Sequence, residues 1–178
     1  MHDFSFPGEI GVPSFTPAVD GRRAQLEWDS DANGGKTVFV GDVDKNGERT
    51  GEGVMVWRQG TREERDYHGS WEGGKANGYG ALSNRPGKML FRGFFEDNRK
   101  EQGVLISMKF EVTRYIGELR DEQPHGLGIC YAKNRDRFVG HFKAGIPSGL
   151  GALVTQNKKS YGDFRAWKEH GHCTVTNT

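Results

Sequence analysis

The chain has 178 residues, of which 27 are glycine, about 15% against a usual share of about 7%. Its longest glycine-free stretch is Val104 to Ile116, and because each interior Gly costs a helix about 1 kcal/mol relative to Ala, a helical bundle is excluded and one turn-rich domain is expected. Net charge is +1, no run approaches the roughly 18 apolar residues of a membrane span, and the N-terminus lacks the basic flank and apolar stretch of a signal peptide, so a soluble, cytoplasmic protein without nucleic-acid partners is expected.

Residues 1–25 place Pro7, Pro13 and Pro17 among Phe4, Phe6, Ile10, Val12 and Phe15. This predicts an extended arm that packs on the rest of the chain or on a partner, with a partly disordered leader as the alternative. Two following segments, Asp29 to Gly34 and Asp42 to Gly47, open like EF-hand loops. Position 12 should then be a bidentate Glu, yet it is Val40 in one and Gly53 in the other, so tight turns are the better reading. Gly34-Gly35-Lys36-Thr37 ends like a phosphate loop, but Ser30 stands where the first Gly belongs and a strand-like Val38-Phe39-Val40 follows where a helix is required.

From Phe39 onward a period is visible. Four segments read aromatic, any residue, Gly, any residue, apolar: Tyr67-His68-Gly69-Ser70-Trp71, Phe91-Arg92-Gly93-Phe94-Phe95, Tyr115-Ile116-Gly117-Glu118-Leu119 and Phe138-Val139-Gly140-His141-Phe142. They start at positions 67, 91, 115 and 138, and weaker copies begin at Phe39 and Ser160. Counting from the first residue of each unit as zero, Gly tends to recur at offsets 7, 11 and 13, as in Gly74, Gly78 and Gly80 or Gly145, Gly149 and Gly151. Glu122, Asn98 and Cys173 interrupt the pattern.

These segments resemble MORN repeats (membrane occupation and recognition nexus), whose pattern is YxGxWxxGxxxGxG in units of about 23 residues. The resemblance covers residues 39–176. It implies an all-β, elongated solenoid of stacked antiparallel β-hairpins over residues 26–178, used as an interaction or scaffolding module. It also points to a component of a cytoskeletal or ciliary assembly, such as a radial-spoke-like complex of a flagellar axoneme, whose partners are other proteins of that assembly.

The residues support the hairpin reading directly. Offsets 0, 2 and 4 share one face of a strand, so Tyr67 and Trp71 flank the gap left by Gly69, and the glycines at offsets 11 and 13 leave a shallow bed for rings on the returning strand. Offsets 6 to 9 carry the Gly and Pro of a turn. One hairpin is marginal alone, so stability must come from neighbours. At about 4.8 Å per strand, six hairpins extend roughly 58 Å, and Cys130 and Cys173, two units apart, are too distant for a disulfide.

Two candidate sites follow. The aromatic stripe Tyr67, Trp71, Phe91, Phe95, Tyr115, Phe138, Phe142 and Phe164 is either the stacking core or, in part, a groove for a partner peptide. Charge is uneven along the chain: residues 1–60 carry 6 basic and 10 acidic side chains, and residues 129–178 carry 8 and 3. The basic set Lys133, Arg135, Arg137, Lys143, Lys158, Lys159, Arg165 and Lys168 therefore offers a second reading, contact with an anionic membrane surface. The same gradient permits head-to-tail homo-oligomers, and the resemblance also permits a regulatory subunit of an enzyme. Ser148 lacks a nucleophile elbow, His170-Gly171-His172 is the only local histidine pair, and acidic residues are spread among basic ones. No catalytic residue, metal or cofactor is expected.

Overall fold

The structure, a computed structural model, describes residues 13–17, 23–28, 35–62, 64–84, 88–106 and 112–177. Every regular element among them is a β-strand. The chain divides into two compact units, Met1–Arg99 and Lys100–Thr178.

The first unit holds β1 (Ser14–Pro17), β2 (Arg23–Trp28), β3 (Lys36–Val43), β4 (Arg49–Gln59), β5 (Arg65–Glu72), β6 (Lys75–Asn84) and β7 (Lys88–Glu96), paired antiparallel in chain order. The second holds β8 (Arg99–Ile106), β9 (Val112–Arg120), β10 (Gln123–Ala132), β11 (Arg137–Lys143), β12 (Ile146–Val154), β13 (Lys158–Arg165) and β14 (Lys168–Asn177), paired in the same way. The fold class is therefore all-β, built of stacked antiparallel hairpins, and β3 to β14 make one hairpin for each sequence unit.

Most of the expected N-terminal arm, including Phe4, Phe6, Ile10 and Val12, lies outside the described residues, as do Asp29 to Gly34. Within that arm, β1 pairs with β2, for example Phe15 opposite Leu26. β2 runs through the boundary expected between residues 25 and 26 and alternates buried Ala24, Leu26 and Trp28 with outward side chains.

Five hairpins turn through two residues that both have positive φ: Gly73-Gly74, Asp97-Asn98, Asp121-Glu122, Ala144-Gly145 and Ala166-Trp167. This is the type I′ geometry whose twist matches that of the flanking strands. Four of these turns also reach back along the stack, since the amides of Gly74, Asn98, Gly145 and Ala166 donate to the carbonyls of Arg49, Ala76, Pro124 and Pro147 in the preceding hairpin. Asn98 and Glu122, irregular in sequence, have work to do there: the Asn98 side-chain oxygen accepts the Ala76 amide, and Glu122 holds the buried Lys100 ammonium.

The remaining hairpin, β3 to β4, turns through Asp44 to Glu48. Asp44 Oδ1 accepts the amides of Asn46 and Glu48, both at 2.8 Å, and these donors, Glu48 first, hold the carboxyl below its usual range. The Asp-rich segment is thus a side-chain-stabilised turn.

Candidate functional site

Each strand alternates its side chains between two faces, and the faces differ in kind. One is the packing core. Tyr67, Trp71, Phe91, Phe95, Tyr115, Phe138, Phe142 and Phe164 are all buried, joined by Phe39, Met55 and Trp57 in the first unit and by Leu119 and Cys130 in the second. The rings interlock edge to face, with the offset-4 ring of one hairpin touching the offset-0 rings of its own hairpin and of the one before. Phe39–Trp71, Tyr67–Trp71, Tyr67–Phe95 and Phe91–Phe95 lie 4.9–5.4 Å apart. In the second unit Tyr115–Phe142, Phe138–Phe142 and Phe138–Phe164 lie 5.0–5.3 Å apart.

The bed under these rings is narrower than the glycine pattern implies. A Cβ on Gly80, Gly128 or Gly151 would stand 2.3–2.4 Å from an atom of Tyr67, Tyr115 or Phe138. The earlier glycine of each pair instead takes a positive φ, as at Gly78 and Gly149, where the register with the neighbouring strand shifts. Only the second glycine of each pair is the ring's seat. Of the two expected roles for the stripe, the structure places all eight rings in the stacking core, where close packing leaves them no surface for a partner. The phenols of Tyr67 and Tyr115 donate to the carbonyls of Ser70 and Glu118, and burial pushes their pKa values up. Ser160 fills the offset-0 place of the last unit, buried, with its hydroxyl on Glu169.

The opposite face carries what the sequence pattern did not single out. In the second unit, register aligns Val104, Ile116, Ile129, Val139, Ala152 and Tyr161 into one apolar row across β8 to β13. Beside it, two residues along the strands, stand Leu127 and Leu150, 56% and 63% exposed, with Glu118, His141 and Asp163 in the same row. Val139 and Tyr161 are 37% and 48% exposed. On one flank runs a row containing Arg114, Arg137 and Lys159, with the Arg114 guanidinium 4.4 Å over the Tyr131 ring. On the other flank, strand alternation carries Arg120, Lys143 and Arg165 to the same face.

The basic set expected to touch lipid is thereby divided. Arg137, Lys143, Lys159 and Arg165 share this face, and Lys168 pairs with Arg165 at the start of β14. Lys133 and Arg135 lie at the turn between β10 and β11, and Lys158 is ion-paired with Glu169 at 2.7 Å, which lowers the Glu169 pKa.

The corresponding face of the first unit is more polar. The row matching the apolar one reads Thr16, Gln25, Val40, Val54, His68, Ala81 and Arg92. Its carboxylates Asp42 and Glu27 are paired with Arg23 and Lys36, and Glu52 accepts the Ser70 hydroxyl. An exposed Tyr79–Phe94 pair, 5.4 Å apart, closes this unit's outer face.

Among the described residues no group of three or more His, Cys, Asp or Glu is placed to hold a metal. Cys130 is buried, which raises its pKa to about 11, whereas Cys173 on β14 is partly exposed. No helix is long and apolar enough to cross a membrane.

Stacked hairpins with a ring-packed core on one face and a free second face define a hairpin-repeat protein. The family model of the MORN repeat matches residues 45–62, 67–88, 115–137 and 138–157, and the chain is a MORN-repeat protein. Three of those matches begin on the offset-0 aromatics Tyr67, Tyr115 and Phe138. MORN repeats are non-catalytic modules that mediate protein or membrane interactions. No curated protein matches the chain in sequence.

Proposed function

We propose that this protein is a non-enzymatic scaffold that docks other proteins on the outer face of its hairpin stack. The observation that carries the reading is the apolar row from Val104 to Tyr161, half-buried except at the exposed Val139 and Tyr161, with the exposed Leu127 and Leu150 beside it, since contiguous apolar surface marks interaction sites. The family's use as an interaction module supports it. On that family ground alone we place the protein in the cytoplasm as part of a cytoskeletal or ciliary assembly, because fold does not fix function. Proximity labelling in the native cell tests this. A labelled set enriched in axonemal or other cytoskeletal proteins is expected, and a set dominated by metabolic enzymes or nucleic-acid-binding proteins would overturn the assignment.

A second reading, peripheral binding to anionic membranes, is favoured by the four basic residues Arg137, Lys143, Lys159 and Arg165 on one face. Co-sedimentation with vesicles containing phosphatidylserine or phosphoinositide at physiological salt tests it, and recovery no higher than with neutral vesicles would remove it.

A further inference from the structure

We infer that the outer face of residues 100–177 binds an acidic amphipathic helix of a partner protein, a deduction that rests on the scaffold reading and names its partner class. Three properties of the face select this occupant. The first is charge. Six basic side chains border the apolar band, Arg114, Arg137 and Lys159 on one side and Arg120, Lys143 and Arg165 on the other, against Glu118 and Asp163 within it. Among the described residues none of the six is ion-paired, so a partner with carboxylates along both sides of an aliphatic stripe completes them.

The second property is that the backbone here is already spent. The strands β9 to β13 use their amides and carbonyls in the ladders to either side, so the face offers side chains and no peptide groups. An extended segment lying on it would leave its own peptide groups without partners over an apolar surface, whereas a helix satisfies them internally. The third is dimension. The apolar row crosses six strands, about 24 Å at strand spacing, which is the length of about 16 helical residues. The basic rows stand about 20 Å apart, leaving a helix about 10–12 Å wide within reach of their side chains.

Other occupants fit less well. A second copy of this chain would have to present the outer face of its first unit, but the carboxylates Asp42 and Glu27 there are already paired with Arg23 and Lys36. An anionic membrane would have to accommodate Glu118 and Asp163 at the centre of the band, beside the leucines that would enter it.

Fluorescence anisotropy with three synthetic 16-residue peptides tests the inference on the full chain. One peptide has Leu at helical spacing flanked by Glu, one has the same Leu positions flanked by Lys, and one has the Glu peptide's composition without helical spacing. Expected is binding of the Glu-flanked peptide at least about tenfold tighter than of either control, weakened at least about tenfold in Leu127→Asp/Leu150→Asp and in Arg137→Glu/Lys159→Glu. Equal binding of the three peptides, or binding that the two double variants leave unchanged, overturns it; circular dichroism shows that the variants remain folded.

In cells, a benzophenone side chain placed at Tyr161 or, separately, at the exposed turn residue Lys45 distinguishes the two levels of the argument. Cross-links from position 161 to an acidic amphipathic segment support the inference. Cross-links from 161 to a basic segment, a nucleic acid, a lipid or a second copy overturn it. Protein cross-links from position 45 alone overturn this face and leave the scaffold reading standing, and none from either position overturns both.

Discussion

At the scale of single residues, the core-face glycines and the buried thiol make the sharpest predictions. A Cβ on Gly151 would lie 2.4 Å from the Phe138 ring, and a buried ring has little room to retreat. Gly151→Ala should cost at least about 2 kcal/mol in urea unfolding, and combining it with Phe138→Leu should cost less than the sum of the two single changes, because the smaller side chain vacates the seat. Burial raises the Cys130 thiol to about 11 from an ordinary value of 9.0. Native protein at pH 8 should therefore lose Cys173 to iodoacetamide quickly and keep Cys130 until it unfolds. The folded state holds the Cys130 proton more tightly than the unfolded chain does. Stability from this source is whole below pH 9 and declines as pH rises towards 11, so the urea midpoint should fall over that window and fall less in Cys130→Ala. Burial holds the Tyr67 and Tyr115 phenols in the same direction, and they leave a residual fall in the variant.

Among the elements, the hairpin turns explain why some irregular units still fold. Ala144 and Ala166 occupy positive-φ positions at 49° and 50°, a conformation that costs an L-residue about 1–2 kcal/mol. Ala144→Gly and Ala166→Gly should each raise stability, by about 0.5 kcal/mol once the added freedom of the unfolded chain is subtracted, as read by the urea midpoint. Glu122 also has a positive φ but carries the partner of a buried Lys100. Glu122→Gln should thus lower the urea midpoint, because it takes a charged partner from a buried ammonium. The six hairpins from β3 onward were legible in the sequence because aromatic and glycine offsets repeat and each turn falls at a fixed distance from its ring. β1 and β2 carry no such pattern, and β2 hides its alternation of Ala24, Leu26 and Trp28 in a single strand. Lys100 and Ser160 were illegible as core residues because each is polar and is buried beside a carboxylate that lies far along the chain, Glu122 in a turn and Glu169 on β14.

For the molecule as a whole, the two faces of the hairpin stack answer to different constraints. Core positions recur at offsets 0, 4 and 13 and are fixed by ring contacts, which is why the sequence displayed them. The outer band uses offsets 1, 12 and 14, as in Ile116, Leu127 and Ile129, where successive units need not agree. Its continuity appears only when the register sets those residues side by side. This separation predicts that Leu127→Asp and Leu150→Asp, each more than half exposed, shift stability by no more than about 0.5 kcal/mol. Gly128→Ala on the core face should instead speed amide exchange most in β9 and β10 and less with each hairpin along the second unit, as expected of a nearest-neighbour stack. The backward reach of the Gly74, Asn98, Gly145 and Ala166 amides to the hairpin before has an evolutionary side as well. A duplicated segment of about 23 residues brings both its own turn donor and the carbonyl that receives the next one, so a tandem duplication can be inserted in register and lengthen the outer face by about 10 Å. Its new offsets 1, 12 and 14 are then free to diverge, and a lineage can acquire a new binding partner while the older hairpins keep theirs.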